Sequence, residues 1–161
     1  LGGSLAGVLL GGYIADRLQA RWAWGRALTI GSTLLLGTPF LFLAVTTDSR
    51  PVFFVCLLVA SFLLTCYHGP ATAVIHDLTP KRAHGFAFAL YLFVIHLFGD
   101  TVAPALVGRV SDLWELRRGL LIGVAANLVA ALCFLVVAWL IRRRAHNAPA
   151  PAYRPPPDGH A

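Results

Sequence analysis

The chain has 161 residues, of which 58% are hydrophobic and only 12% are charged, and its mean hydropathy is +0.73. A soluble domain of this length needs a polar shell, whereas here the charges are confined to short islands between long uncharged stretches. The composition therefore excludes an ordinary soluble protein and indicates a membrane protein. The net charge of +6 is explained by basic loops that lie against anionic lipid headgroups, so the bilayer is the expected partner and nucleic acid is not.

Five apolar stretches follow one another along the chain. A helix needs roughly 20 apolar residues to cross the hydrocarbon core, and four of the stretches meet that length. The first is too short to span alone and predicts the end of a helix whose start is missing. The expected fold class is an all-α membrane protein, a polytopic helical bundle over residues 1–144, with a partial span at about 1–15 and spans at 27–47, 51–75, 85–108 and 119–141.

The basic residues predict the orientation of this bundle. When the loops are assigned alternately to the two sides, one side holds twice as many basic residues near the spans as the other, so the positive-inside rule places it in the cytoplasm. Residues 145–161 are Pro-rich and predict a disordered cytoplasmic tail. The protein is expected in a plasma membrane or a bacterial inner membrane. The residues on the basic side are Arg17, Arg21, Arg26, Lys81, Arg82, Arg142, Arg143 and Arg144.

Small residues predict close helix packing near the start of the chain. Gly3, Gly7, Gly11 and Ala15 recur at every fourth position, which gives a smooth ridge on which a neighbouring helix can approach closely. Asn127 lies in the middle of the last span, where an unpaired amide is costly. An interhelical hydrogen bond is the expected remedy, and a contact with substrate is the alternative.

The span at 85–108 carries two ionisable residues, His96 and Asp100, near its middle. Such residues usually face a bundle interior or a water-filled cavity and mark a route for ions, protons or substrate. Pro104 lacks a backbone donor and predicts a kink that frees the carbonyl of Asp100. A ridge for transport or gating is therefore predicted, and the alternative is that Asp100 only fixes helix packing. The ridge consists of His96, Gly99, Asp100, Pro104 and Gly108.

Two further classes of protein stay open. An intramembrane enzyme would use the carboxylate of Asp100 to orient His96 as a base, but no nucleophile partners them, and we expect no catalytic residue. A membrane scaffold would use the ridge for packing alone. The histidines and cysteines show no metal-ligand spacing, and neither a metal nor a cofactor is expected.

The segment GGYIADRLQAR, residues 11–21, resembles the G-x-x-x-D-R/K cytoplasmic loop signature of the major facilitator superfamily. Gly12, Asp16 and Arg17 fall on the pattern, and Arg21 remains of the basic pair that follows it. Gln19 stands where the family usually has a second glycine. The carboxylate of Asp16 suits a helix N-terminus, where the partial positive charge favours an anion.

A second, longer match resembles the penultimate helix and its preceding loop in Spinster-like transporters of the same superfamily. These are twelve-helix carriers linked to lysolipid or sphingolipid export. The resemblance implies that this chain is the C-terminal half, from the end of helix 8 to helix 12, and that its partner is the missing N-terminal six-helix half. In the loop, Lys81 and Arg82 precede His84, where the family commonly has Arg. The matching residues are Gly69, Pro70, Pro80, Gly85, Ala87, His96, Gly99, Asp100, Pro104, Gly108, Ser111 and Asp112.

The resemblance implies transmembrane transport of a small organic solute by alternating access. A lipid-like or amphipathic anion is one expected substrate, and a generic drug or metabolite exporter of the same superfamily fits the spans equally well. Proton exchange between His96 and Asp100 is one hypothesis for coupling. The sequence leaves proton coupling, sodium coupling and uncoupled transport open.

Overall fold

The computed structural model describes residues 2–113 and 116–147, which form helices joined by short turns. The all-α fold class is confirmed. A 3₁₀ turn, Lys81–Ala83, precedes the fifth α-helix, and a π-helical segment, His96–Val102, separates the fifth from the sixth. The α-helices are α1 Gly2–Arg21, α2 Gly25–Thr46, α3 Arg50–Thr65, α4 His68–Leu78, α5 His84–Ile95, α6 Ala103–Leu113 and α7 Leu116–Asn147.

Within the described residues, four helical runs are long and apolar enough to cross a membrane: Gly25–Thr46, Arg50–Asp77, Lys81–Leu113 and Leu116–His146. The second run is divided into α3 and α4 just before Pro70, whose ring clashes with the carbonyl four residues earlier. The last helix continues through Asn147. Residues 145–147 of the predicted tail are therefore helical, and residues 148–161 lie outside the described residues.

The core of the bundle lies around α2, which packs against α1, α3, α4 and α7. Its buried residues are Ile30 and Leu34 from α2, Ala71 from α4 and Ala131 from α7. The connections between successive helical runs lie at the two ends of the bundle. We call the end that holds the α1–α2 and α4–α5 connections and the last turns of α7 the basic end.

The predicted ridge of small residues on α1 makes close contact with the end of α3. A Cβ atom on Gly7 would overlap Thr65 and the carbonyl of Phe62, and one on Gly11 would overlap the backbone of Cys66. The next residue of the ridge, Ala15, is fully buried. The ridge thus brings two backbones into contact, as the four-residue spacing predicted.

The interhelical hydrogen bond predicted for Asn127 is confirmed. Its Nδ2 donates to the carbonyl oxygen of Leu34 at 3.1 Å and to Oγ1 of Thr38 at 2.9 Å, so it joins α7 to α2. The Thr38 hydroxyl in turn donates to the Leu34 carbonyl at 2.9 Å. The amide nitrogen is thereby satisfied inside the bundle.

Arg117 also joins α7 to α2, at the end of the bundle that lies opposite to the basic end. Its Nε donates to the carbonyl oxygen of Val45 at 3.0 Å, and its Nη2 donates to the carbonyl of Thr46 and, at 2.9 Å, to Oδ1 of Asp48. A cation at a helix C-terminus also meets the negative end of the helix dipole. Arg117 therefore caps α2 and fixes the start of α7 against its end.

Candidate functional site

The predicted ridge lies on the span formed by α5, the π-helical segment and α6. Nδ1 of His96 and Oδ2 of Asp100 are 2.5 Å apart, and both side chains are about two-thirds exposed, at 65% and 70%. His96 is the first residue of the π-helical segment, and Asp100 lies near its middle. The structure therefore brings these two predicted residues into direct contact.

The π-helical segment lies immediately before Pro104. The N–H of Ala103 bonds to the carbonyl of Phe98, five residues earlier, instead of four as in an α-helix. Pro104 has no N–H to bond to the carbonyl of Asp100, so an α-helical ladder cannot be completed there. The irregularity predicted from Pro104 thus takes the form of a π-helical turn, a feature that is frequent at functional sites.

The other residues of the ridge face open space within the described part of the chain. A Cβ atom on Gly99 would have only Ile95 as close as 4.0 Å, and one on Gly108 would meet nothing within 4 Å. None of the 18 most apolar consecutive residues of this span is buried. Within residues 2–113 and 116–147, Asp100 thus pairs on its own helix, and the surface of this span is available to lipid or to other parts of a larger protein.

A second group of charges lies at the basic end and joins three helices. Arg26, at the start of α2, donates from Nη2 to Oδ1 of Asp16 on α1 at 2.9 Å. Its Nη1 forms an ion pair with Asp77 near the end of α4. The Arg26 side chain is only 18% exposed, whereas the two carboxylates are mostly in contact with solvent. We call these three residues the charge cluster.

The motif residues of the first connection lie within α1, although the sequence placed them in a loop. Gly12 lies where α1 meets α4, since a Cβ atom on Gly69 would be 3.1 Å from its Cα. Asp16 has Arg26 as its partner, and the guanidinium of Arg17 lies 4.9 Å from the ring centre of Tyr13. Arg21 is the exposed last residue of α1.

Gln19 explains how α1 continues to Arg21 before the turn into α2. Its Oε1 accepts a hydrogen bond from the backbone N–H of Arg26 at 3.1 Å, and its Nε2 donates to the carbonyl of Ala23 at 3.2 Å. The side chain therefore satisfies two backbone groups of the connection. A glycine at this position could do neither.

Two histidines contact each other across the connection between α4 and α5. Lys81 and Arg82 are exposed in the 3₁₀ turn, while Nε2 of His84 donates to the carbonyl of Thr79 at 2.7 Å. Nδ1 of His84 lies 3.3 Å from Nδ1 of His76. This distance allows one of the two ring nitrogens to donate a hydrogen bond to the other. His76 directly precedes Asp77, so this connection adjoins the charge cluster.

Sequence reasoning did not identify Arg26 and Asp77 as partners, nor Tyr91 as a candidate. The hydroxyl of Tyr91 on α5 is buried and has no hydrogen-bond partner among the described residues, and its ring packs against the core cluster. A buried hydroxyl without a partner is costly. A tyrosine in an apolar span is a weak signal of a functional site, because its ring alone suits the core. Arg26 and Asp77 gave a stronger signal of an ion pair, because they are opposite charges at the ends of predicted spans.

Replacing Arg26 by Gln is expected to loosen the basic end. Two carboxylates would lose their shared cation, and we expect a loss of about 1 kcal/mol in the free energy of unfolding, because the carboxylates are exposed. Amide hydrogen exchange should accelerate at the start of α2. Arg21→Gln, which removes the same charge from an exposed position at that end, is the control. Equal exchange in the two variants would contradict a structural role for the charge cluster.

The comparisons with known proteins agree with this architecture. The family model described as Major Facilitator Superfamily matches residues 1–158. An "MFS-type efflux pump" of Mycolicibacterium smegmatis (strain ATCC 700084 / mc(2)155) is 32% identical over 85% of this chain and 34% of its own length. "Protein spinster homolog 3" of Mus musculus is 28% identical over 71% of this chain and 23% of its own length. "Probable sphingolipid transporter spinster homolog 3" of Arabidopsis thaliana is 31% identical over 67% and 21%.

The chain belongs to the major facilitator superfamily and is similar to its spinster members. It is accordingly an integral, multi-pass membrane protein. The matched regions span between about a fifth and a third of the length of these relatives. No solved structure is significantly similar to the chain.

Proposed function

We propose that the full-length protein transports a small organic solute across the membrane by alternating access. The observation that carries the proposal is the His96–Asp100 pair in the π-helical middle of a membrane span. An ionisable pair at this depth is expensive and is usually kept for a route of ions, protons or substrate. The relatives named as an efflux pump and a sphingolipid transporter support the same function. Neither name describes an enzyme, and we propose a transporter without a catalytic residue.

In this proposal the chain is most of the second six-helix bundle, from the end of helix 8 to helix 12. The exposed ridge then faces the central cavity and the missing N-terminal half. The basic end faces the cytoplasm, as the positive-inside rule predicts. The fragment alone should not transport, since the cavity lies between two bundles.

The charge cluster supplies a second element of the mechanism. Arg26 holds the ends of α1 and α4 against α2 through two carboxylates. Such a partly exposed cluster can be broken and re-formed at moderate cost, because water solvates the carboxylates when the contacts open. We propose that these contacts let α1 and α4 shift against α2 inside the second bundle while that bundle rocks against the first. Asp100 and His96 would link protonation to that movement by exchanging a proton.

A lipid-like or amphipathic anion is the substrate class we favour, because the spinster relatives include a protein named as a sphingolipid transporter. A drug or metabolite exporter is the second candidate, and the relative named as an efflux pump supports it. A membrane scaffold, in which the ridge only packs, would bind its partners without moving any solute.

The test is flux through the purified full-length protein in proteoliposomes, with and without an imposed pH gradient. The probes are a labelled sphingosine phosphate, which is an amphipathic anion, and the dye ethidium, which represents drug export. We expect protein-dependent flux of the sphingosine phosphate that increases when the gradient is imposed. Flux of ethidium alone would favour the drug exporter. Movement of neither probe above protein-free liposomes would contradict the proposal for both substrate classes.

A further inference from the structure

A cleft opens at the basic end between the start of α2 and the last turns of α7. Its volume is about 840 Å³. Among the described residues, those that line the cleft combine two tryptophans with three basic side chains, and none of these is acidic. They are Trp24, Trp139, Arg142, Arg143, Ala145 and His146.

Four of these residues form one face of α7. Trp139, Arg142, Arg143 and His146 stand at positions i, i+3, i+4 and i+7, which lie above one another on a helix. Trp24 faces them from the residue that directly precedes α2. The cleft is therefore made by two helices that pack closely along their length, so its walls have a fixed relation to each other.

Both arginines rest on tryptophan rings. The guanidinium carbon of Arg142 lies 5.4 Å from the ring centre of Trp24, and that of Arg143 lies 5.2 Å from the ring centre of Trp139. Trp24 is itself stacked on Trp22, with ring centres 5.0 Å apart. Stacking uses the face of a guanidinium and leaves its edge, which carries the N–H donors, for an anion. A guanidinium held in this way can offer paired N–H donors to a planar or tetrahedral oxyanion.

A separate apolar groove of about 420 Å³ lies earlier on α7, on the membrane side of the cleft. Its lining includes Leu132 and Val136, which precede Trp139 and Arg143 by seven residues each and lie on the same side of the helix. These side chains are exposed, Val136 to 55%. A basic cleft above an apolar groove is the arrangement that a phospholipid requires, with a charged headgroup joined to an acyl chain.

We propose that this surface of α2 and α7 binds one anionic phospholipid, with its phosphate between Arg142 and Arg143 and an acyl chain along Leu132 and Val136. The position supports a lipid over a soluble phosphate, because the helical run that is long and apolar enough to cross a membrane ends at His146 and tryptophans are enriched at the membrane interface. The bilayer also supplies the ligand at high local concentration. The proposal concerns a site outside the His96–Asp100 ridge and does not depend on which solute is transported.

The experiment measures lipid association with the purified full-length protein in phosphatidylcholine nanodiscs. Spin-labelled phosphatidylglycerol is the probe, and spin-labelled phosphatidylcholine gives the reference for a neutral headgroup of similar chain length. Symmetric nanodiscs make the result independent of the orientation of the protein. Thermal unfolding verifies that each variant is folded.

Arg142→Gln and Arg143→Gln are each expected to lower the association of phosphatidylglycerol relative to phosphatidylcholine about fivefold. Arg144→Gln is the matched control, since it removes the same charge from the adjacent position but does not line the cleft. We expect it to lower the association by at most about twofold, through the general surface potential alone.

Three results would overturn the proposal. An equal loss in all three variants would mean that the basic end attracts anionic lipid only through its overall charge. An equal loss for the two lipids would mean that the headgroup is not read. Displacement of the label by inorganic phosphate in the buffer would identify a free phosphate as the ligand, since a lipid held by its chain as well should resist such competition.

Discussion

Replacing Asp100 by Asn is expected to reduce solute flux through the full-length protein by at least about tenfold, equivalent to about 1.4 kcal/mol. Asn keeps the size and hydrogen-bonding ability of the side chain but cannot become an anion. His96 would keep a hydrogen-bonding neighbour but lose the carboxylate that we propose exchanges a proton with it. Any remaining flux should therefore no longer respond to an imposed pH gradient.

The measurement is initial flux of the labelled sphingosine phosphate in proteoliposomes, with thermal unfolding as a check on folding. Asp48→Asn is the control, because it also removes one aspartate charge, from an exposed carboxylate that pairs with Arg117 at the end opposite to the basic end. A surface pair of this kind contributes little. Normal, gradient-sensitive flux in the folded Asp100 variant would exclude the pair from the transport mechanism and leave it a packing role.

The largest effect on stability is expected from Gly11→Ala. The added Cβ atom would overlap the backbone of Cys66, which cannot rotate away as a long side chain can. We expect a loss of about 1–3 kcal/mol, as in other overpacked interiors. The midpoint of thermal unfolding in detergent, followed by far-ultraviolet circular dichroism, gives the measurement.

Gly12→Ala provides a control at the adjacent residue. A Cβ atom at this position would meet nothing within 4 Å, and Ala is favoured over Gly inside a helix by about 0.5–1 kcal/mol. The unfolding midpoint should therefore stay the same or rise. A similar fall for Gly11→Ala and Gly12→Ala would show that flexibility of α1 matters and that close approach to α3 does not.

The helical bundle was predictable from hydropathy and from the spacing of small residues, because each of these signals can be read within a single segment of the chain. The apolar runs predicted the spans, and the spacing of Gly7 and Gly11 predicted the close approach of another helix. The hydrogen bond of Asn127 was predictable for a similar reason, since an amide in an apolar span needs a partner wherever it lies. The identity of that partner, the Leu34 carbonyl with Thr38, depends on which helices adjoin and required the structure.

The boundaries and the charge cluster were less predictable. A proline marks where one backbone hydrogen bond of a helix is lost. The sequence does not say whether the helix then continues, as at Pro39, breaks, as before Pro70, or takes a π-helical turn, as before Pro104. Arg26 and Asp77 stand 51 residues apart and belong to different spans. Their contact follows from the packing of α4 against α2, which no local pattern contains.

The capping of α2 by Arg117 has a mechanical consequence. It fastens the chain at residue 117 to the end of α2 at residues 45 and 46, so the segment that holds α3 to α6 leaves and returns at one fixed point. Together with the Asn127 hydrogen bonds, this makes α2 and α7 a stiff frame. The span of α5 and α6 lies beside these two helices, and none of its 18 most apolar consecutive residues is buried. Its π-helical middle interrupts the α-helical hydrogen-bond ladder at the level of Asp100, so a bend there would move α5 while α6 keeps its contacts with α7.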